Sequence, residues 1–189
     1  ELLKKSLDEM FALPIDPAAN LGFGAASNQG IRYAIRHMAD YALLLNNDAA
    51  IAPDTIGLLV AAARQDESIG AVGPTIFSAD RKDHIWTRGA SLSWLTGLLK
   101  PRDGTDGKED RYDVDAISGC AALIKITALI QCGMFDEKFF LYAEDTDLCV
   151  RFRRKGYRIV CDAKAKAWHK IGRAIGGPGS PEYMYYITR

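Results

Sequence analysis

The spacing of apolar residues changes period several times along the chain, and each change predicts an element. "ELLKKSLDEMF" opens in helical spacing through Leu3, Leu7 and Met10. "FALPID" is short and apolar enough for a strand, and "PAANLGFGAAS" is a glycine-rich turn. Ile31, Ala34, Ile35 and Met38 then recur at i, i+3, i+4 and i+7 with Ser27 placed as N-cap, so an amphipathic helix follows. "YALLL" is apolar without alternation, the pattern of a strand covered on both faces by helices. Pro53 opens another helix with Ile56, Leu59, Val60 and Ala63 on its apolar face, and "IGAVGPTIF" is the next strand.

From Asp80 the rhythm changes. "HIWTRGASLSWL" has partial strand character, while "KPRDGTDGKEDRYDVD" is polar and charge-dense and reads as a mobile loop. "AISGCAALIKI" returns to an apolar strand, after which Thr127 caps a short helix that runs through Cys132 and ends at Gly133. "FDEKFFLYAEDTDLCVRFRRKGY" carries a loop into a helix closed by Gly156, and "RIVCDAKAKAWH" alternates as a strand. "KIGRAIGGPGSPEY" is rich enough in Gly and Pro to be flexible, and "PEYMYYITR" starts a helix. No internal repeat is visible. Alternating helices and strands predict an α/β fold, a doubly wound and mostly parallel mixed sheet flanked by helices.

Composition narrows the classes of function. At 189 residues one domain is expected. Basic and acidic residues balance at 24 each, which removes the electrostatic case for nucleic acid or an anionic membrane as the main partner. Cys120, Cys132, Cys149 and Cys161 form no CxxC pair and sit in apolar or periodic segments, as reduced core cysteines of a cytosolic protein do. No apolar run reaches the roughly 18 residues of a membrane span, and no signal peptide opens the chain. Both ends fall inside helical patterns, so the chain reads as a piece of something longer.

Four constellations carry candidate chemistry. In open α/β sheets, ligands collect beyond the carboxyl ends of strands, which is where "YALLL" delivers Asn46, Asn47 and Asp48. Asp48 offers a hard oxygen for Mg²⁺ or Mn²⁺ and the amides can bind sugar hydroxyls; equally, Asn and Asp end strands everywhere. A helix starting near Asp145 puts Asp145, Leu148, Cys149 and Phe152 on one face, with Asp147 elsewhere and Phe139, Phe140 and Tyr142 walling the acids. Such a cluster is either a capped helix N-terminus or a desolvated base. His169 ends a strand in which Ala165 and Ala167 share its face, leaving space before the imidazole for a metal or phosphate. "GFGAAS" approximates a dinucleotide loop with Ser27 in the last glycine's place, or is a tight turn needing positive φ.

Taken together, "NLGFGAASNQGIRYA", "ADYALLLNNDAAIAPD", "SGCAALIK", "GMFDEKFFLYAEDTDLCVRFRRKGYRI" and "AWH" resemble the family-two glycosyltransferases of the GT-A fold, in particular their bacterial rhamnosyltransferase-like branch. The resemblance runs in order over the whole chain. It implies that "NND" is a DxD-like motif in which Asp48 binds a divalent cation, Mg or Mn, bridging a nucleotide-sugar diphosphate, with Asn46 in place of the first aspartate and Asn47 between them. It implies that "AED" makes Asp145 the catalytic base with Glu144 beside it at the acceptor site. His169 would complete the metal or diphosphate site, and Asn20, Gly22 and Asn28 would border the nucleotide.

The implied partners are a nucleotide-diphospho-sugar donor and a saccharide or lipid-linked saccharide acceptor, with no nucleic acid. The implied role is bacterial cell-surface polysaccharide synthesis, cytoplasmic and at the inner face of the membrane through peripheral association of the full-length protein. The family's first strand, helix and second strand are not seen before Glu1. The expected organisation is therefore a partial GT-A domain: 1–78 as the remaining nucleotide-binding half, 79–172 as the acceptor side, and 173–189 as a flexible segment with the start of a C-terminal helix. Rival readings are a non-catalytic sugar-nucleotide scaffold and an NAD-type oxidoreductase built on the glycine-rich turn. A Ca²⁺ loop in "RDGTDGKEDRYDVD" lacks the EF-hand ligand spacing.

Overall fold

The computed structural model describes residues 20–102 and 109–170. The predicted elements in "ELLKKSLDEMF", "FALPID" and "PEYMYYITR", the flexible segment after Lys170, and much of the charge-dense loop lie outside them. In chain order the elements are α1 (Phe23–Arg36), β1 (Tyr41–Leu45), β2 (Ala49–Ile51), α2 (Thr55–Ala63), β3 (Ile69–Ser78), β4 (Ile85–Thr87), β5 (Ala90–Leu92), β6 (Leu99–Pro101), β7 (Arg111–Val114), β8 (Ala121–Lys125), α3 (Ile126–Cys132), α4 (Glu144–Arg154) and β9 (Arg158–His169).

The main sheet runs β1-β8-β3-β9-β2, with β4 added to β3 and β7 to β9, while β5 and β6 form a separate hairpin. The sheet is mixed as expected, but less parallel: among the described residues β3 with β9 is the one parallel pair, and β1–β8, β3–β8, β3–β4, β2–β9 and β7–β9 are antiparallel. β1, β3 and β9 consequently point the same way, and their carboxyl ends share one edge. The partners β3 and β9 come from either side of the expected division at residue 78.

Strand alternation divides the core between the two faces of this sheet. Ala71, Ala122, Ile124, Ile159 and Cys161 face α1, α3 and α4, where they meet Ile31, Leu129, Leu148 and Phe152. The intervening Val72, Leu123 and Val160 face α2 and its Leu59, Ala62 and Ala63. Helices on both sides explain why β3 and β8 are continuous apolar runs. β1 departs from that expectation: it is half-buried, and Leu45 is exposed. All four cysteines are free, and Cys120, Cys149 and Cys161 are buried.

Several boundaries differ from the sequence reading. α1 starts at Phe23, so Ser27 lies inside it rather than capping it, and Gly22 is the N-cap with φ 79°. Met38 follows the helix end and is 90% exposed, and Ile56 is exposed beside the buried face of α2. α3 starts at Ile126 with Lys125 as N-cap, so Thr127 is not the cap, whereas Gly133 does end it in a left-handed conformation. The stretch expected to be a loop contributes β6 and β7.

β9 is not a plain alternating strand. Its pairing with β3 jumps from Pro74↔Asp162 to Thr75↔Lys166, an outward bulge that absorbs 163–165. Asp162, 1% exposed, pins the bulge: Oδ1 accepts the N–H groups of Lys164 and Ala165 at 2.9 and 3.1 Å, and Oδ2 takes Arg111 Nε at 2.6 Å. This bulge sets the register that brings His169 opposite Ser78 and Ala49.

Candidate active site

The shared carboxyl edge of β1 and β9 gathers the first cluster. Asn46 N–H donates to Cys120 O at 2.9 Å, and Ala49 N–H to Asn46 O at 3.0 Å, closing a turn that reverses the chain into β2. β2 pairs with the last residues of β9, Ala49 opposite His169. As a result Asp48 Oδ1 stands 3.1 Å from His169 Nε2, and Asn46 Nδ2 stands 3.5 Å from the same nitrogen. The turn expected of "NND" is present, and it is what aims Asp48 at His169. Asn47 is exposed on the turn.

His169 does not face open space over small alanines. Ala165 and Ala167 are fully buried, Ala167 among Ile76, Cys120 and Ala121. The imidazole packs instead against Trp86, ring centroids 5.5 Å apart, and its buried Nδ1 has no hydrogen-bond partner among the described residues.

The second cluster is the start of α4. Tyr142 and Ala143 are successive non-glycine residues in the left-handed region, φ 69° and 67°, and the helix begins at Glu144 with no side-chain cap. Backbone strain of this kind costs of order 1–3 kcal/mol per residue and is held only where the surroundings over-determine it. Glu144 is 6% exposed, its Oε2 has no hydrogen-bond partner among the described residues, and burial followed by the neighbouring Asp145 charge pushes its pKa up to about 7. Asp145 is also raised by burial, and hydrogen bonds to its charged form oppose the shift: Oδ2 accepts Gly119 N–H at 3.0 Å and Oδ1 accepts Thr146 N–H at 2.7 Å, whereas Glu144 Oε2 has no such partner among the described residues. Asp147 points away, paired with Arg151 at 2.8 Å.

Aromatic residues adjoin Asp145 from α1 and from the loop before α4. Phe135 lines the small apolar cavity that Asp145 borders, and the Phe23 ring lies where a Cβ on Gly119 would stand 3.0 Å from it.

Two adjacent residues join the clusters. Gly119 holds Asp145 through its N–H while Cys120 holds Asn46 through its carbonyl. The Cys120 thiol reports the proximity: burial pushes it up to about 12, a Ser118 hydrogen bond opposes this, and the Asp145 and Asp48 charges both add to it. Read only as the start of a strand, "SGC" gave no sign of this role except a glycine beside a serine before an apolar run.

In the glycine-rich turn, Asn20 Oδ1 accepts Gly22 N–H at 3.0 Å and Phe140 O accepts Phe23 N–H at 3.1 Å, which ties the start of α1 to the loop before α4. Asn28, 1% exposed, exchanges two hydrogen bonds with the Phe135 backbone at 2.9 and 3.0 Å and donates a third to Glu137. Its amide ties α1 to the loop before α4.

A divalent cation fits one part of this geometry. Two adjacent ligands on an octahedral ion with bonds of about 2.1 Å stand about 3 Å apart, the separation of Asp48 Oδ1 and His169 Nε2. No group of three or more His, Cys, Asp or Glu side chains poised to hold a metal occurs among the described residues. Such a pair suits a cation whose other ligands are substrate phosphates and water.

Comparison with known proteins identifies the lineage. The profile described as "Glycosyltransferase like family 2" matches residues 14–178. The chain belongs to this family. An N-acetylglucosaminyl-diphospho-decaprenol L-rhamnosyltransferase of Mycobacterium tuberculosis is 30% identical over 181 residues, covering 84% of this chain and 58% of that protein. A low-salt glycan biosynthesis hexosyltransferase, Agl10, of Haloferax volcanii is 28% identical over 148 residues, covering 77% of this chain and 47% of its own. The chain thus spans about half the length of these family-2 relatives. Its fold is that of GalNAc-T7, solved with UDP, GalNAc and Mn²⁺, at TM-score 0.70 and 20% identity, covering 98% of this chain and 38% of that one. This is the expected GT-A architecture.

Proposed function

We propose that the protein transfers a sugar from a nucleotide-diphospho-sugar to an acceptor hydroxyl with inversion at the anomeric carbon. The observation that carries this reading is the Gly119–Cys120 link, which seats a desolvated carboxylate, Asp145, beside the Asp48–His169 pair. A base and an anion-handling site within one edge are what displacement of a diphosphate by an alcohol requires.

In this mechanism the acceptor hydroxyl attacks the anomeric carbon as its proton passes to Asp145, and the bond from that carbon to the diphosphate oxygen breaks with its electron pair leaving on the nucleoside diphosphate. The Gly119 and Thr146 N–H groups fix the carboxylate's direction. Glu144, retaining its proton to near neutrality, can donate to an acceptor hydroxyl, while the N–H groups on Asp145 favour its charged form. Asp48 and His169 would hold a Mg²⁺ or Mn²⁺ ion, which supplies Lewis-acid stabilisation of the departing diphosphate. Asn46 and the exposed Asn47 are the donor-side amides; Asn20 and Gly22 shape the adjoining turn.

The relatives' names support the acceptor class. One acts on a saccharide diphosphate carried by decaprenol, which favours a lipid-linked acceptor, a role in cell-surface glycan assembly and work at the inner face of a bacterial membrane. No helix among the described residues is long and apolar enough to cross a membrane. On this reading the segment to residue 78 serves the donor and 79–172 the acceptor. A screen of nucleotide sugars with Mn²⁺ on the full-length protein tests it: turnover of one donor is expected, and nucleotide binding without transfer to any lipid-linked acceptor would leave a scaffold instead.

A further inference from the structure

At the end of α4 opposite Glu144 and Asp145, the β5–β6 hairpin carries four large apolar side chains into solvent: Trp94 is 60% exposed, Leu95 95%, Leu98 69% and Leu99 41%. Single exposed apolar residues are ordinary, but a contiguous cluster on one turn marks a contact surface. The turn is well formed, so this exposure is not fraying. Ser93 N–H donates to Leu98 O at 2.9 Å, Gly97 N–H to Ser93 O at 2.7 Å, and Gly97 takes the left-handed φ of 71°. The hairpin is tied to the body through Ala90 N–H to Ala116 O at 2.9 Å and Leu92 N–H to Asp115 Oδ2 at 2.7 Å.

Cations surround the apolar tip. Lys100 follows Leu99, and Arg154 and Lys155 are exposed at the end of α4. The Arg153 guanidinium lies 5.5 Å from the Trp94 ring centroid, which fixes the hairpin beside that helix end. Between them opens a cleft of about 570 Å³ whose lining, among the described residues, holds Arg102, Arg153, Arg154 and Arg158 together with Asp113 and Asp115. Arg153 is ion-paired with Asp115, and Arg158 with Asp113 and Asp66, so Arg102 and Arg154 carry the cleft's excess positive charge.

We propose that the β5–β6 hairpin docks the protein on an anionic lipid surface. Trp94, Leu95, Leu98 and Leu99 enter the boundary between headgroups and acyl chains, and Lys100, Arg102 and Arg154 meet the lipid phosphates. An apolar wedge rimmed by Lys and Arg is the chemistry of interfacial binding, and Trp is favoured at that depth. A second copy of the chain is a poorer occupant. A two-fold contact through this tip would set the basic rims against each other, and four side chains fall short of the roughly 800 Å² per partner of a stable interface. Because the tip and the acids sit at opposite ends of α4, docking leaves the candidate site open to water-soluble donors.

Vesicle co-sedimentation without any sugar donor tests this separately from the transferase reading. The chain is expected to bind vesicles of phosphatidylcholine mixed with phosphatidylglycerol, and to bind phosphatidylcholine alone weakly. Leu95→Ser with Leu98→Ser should lower binding at least about tenfold without changing the melting temperature, since both side chains are exposed. Lys100→Ser with Arg154→Ser should lower it on anionic vesicles only, as added salt does. Vesicles should shift the tryptophan emission to the blue, and Trp94→Phe should abolish the shift. No binding by the unaltered chain, binding indifferent to the leucine substitutions, or a dimer that those substitutions turn into a monomer would each overturn the assignment, the last in favour of a second copy.

Discussion

His169 Nε2 and Asp48 Oδ1 stand 3.1 Å apart although Asp48 lies in the β1–β2 turn and His169 at the distant end of β9, and the β2–β9 pairing holds them there. If this pair holds the cation of a nucleotide-sugar complex, Asp48→Ala removes the carboxylate of the pair. Calorimetry should then show nucleoside diphosphate binding that no longer responds to Mn²⁺, with His169→Ala weakening the response by about 10–100-fold. Metal-responsive binding that survives Asp48→Ala would place the cation elsewhere.

Asp145→Asn keeps the hydrogen bonds that its Oδ1 can accept but cannot take a proton. General-base assistance is worth about 10²–10⁴-fold, so kcat should fall by that factor while donor affinity is retained. Single-turnover assays alongside a nucleotide titration separate the two quantities, and a variant with near-normal kcat would pass the role to Glu144.

The Glu144 carboxyl should leave its mark on stability. Unfolded, it titrates near its ordinary 4.5; folded, near 7. Between those values only the unfolded state gives up its proton, so stability falls as pH rises through the window and stays lower above it, by about 3 kcal/mol. Glu144→Gln has no proton to lose. Urea unfolding at about pH 5 and about pH 8 should show the wild-type protein losing stability that the variant keeps, and parallel losses in both would assign the pH dependence to other groups.

How far these features could be read from sequence depended on whether they were local. The two apolar faces of β3 and β8, the acids at the head of α4 and the glycine stops at Gly133 and Gly156 follow from spacing, because period and composition act over a few residues. The bulge in β9 was invisible because "VCDAKAKAWH" alternates convincingly; only Arg111, far away in sequence, shows that Asp162 is buried and paired. Ser27 and Thr127 each looked like caps, but neither is needed: α1 is started by a loop carbonyl from Phe140, and α3 follows β8 with no capping side chain. The hydrogen bonds of Asn28 are illegible in the sequence for a related reason, since its partners Phe135 and Glu137 reach it only through the tertiary fold.

Gly22 and Gly30, at the start and in the middle of α1, should respond oppositely to alanine. At Gly22 the backbone has φ 79°, and an added Cβ would stand 2.2 Å from Phe140 O, the carbonyl that accepts Phe23 N–H. Alanine must both adopt a positive-φ, extended-ψ conformation essentially confined to glycine and push that carbonyl away, at a combined cost of about 2–4 kcal/mol. Gly30 lies on the exposed side of the helix, with nothing within 4 Å of a new Cβ. There alanine restricts the unfolded chain without a clash and should add about 0.5–1 kcal/mol. For a protein of this size each kcal/mol moves Tm by about 2–4 °C, so thermal melts resolve both signs. The Phe140 carbonyl begins the approach to the strained Tyr142–Ala143 corner. Gly22→Ala should therefore also reduce kcat more than its loss of stability accounts for, whereas Gly30→Ala should leave kcat unchanged; equal behaviour of the two variants would show that the turn does not position α4.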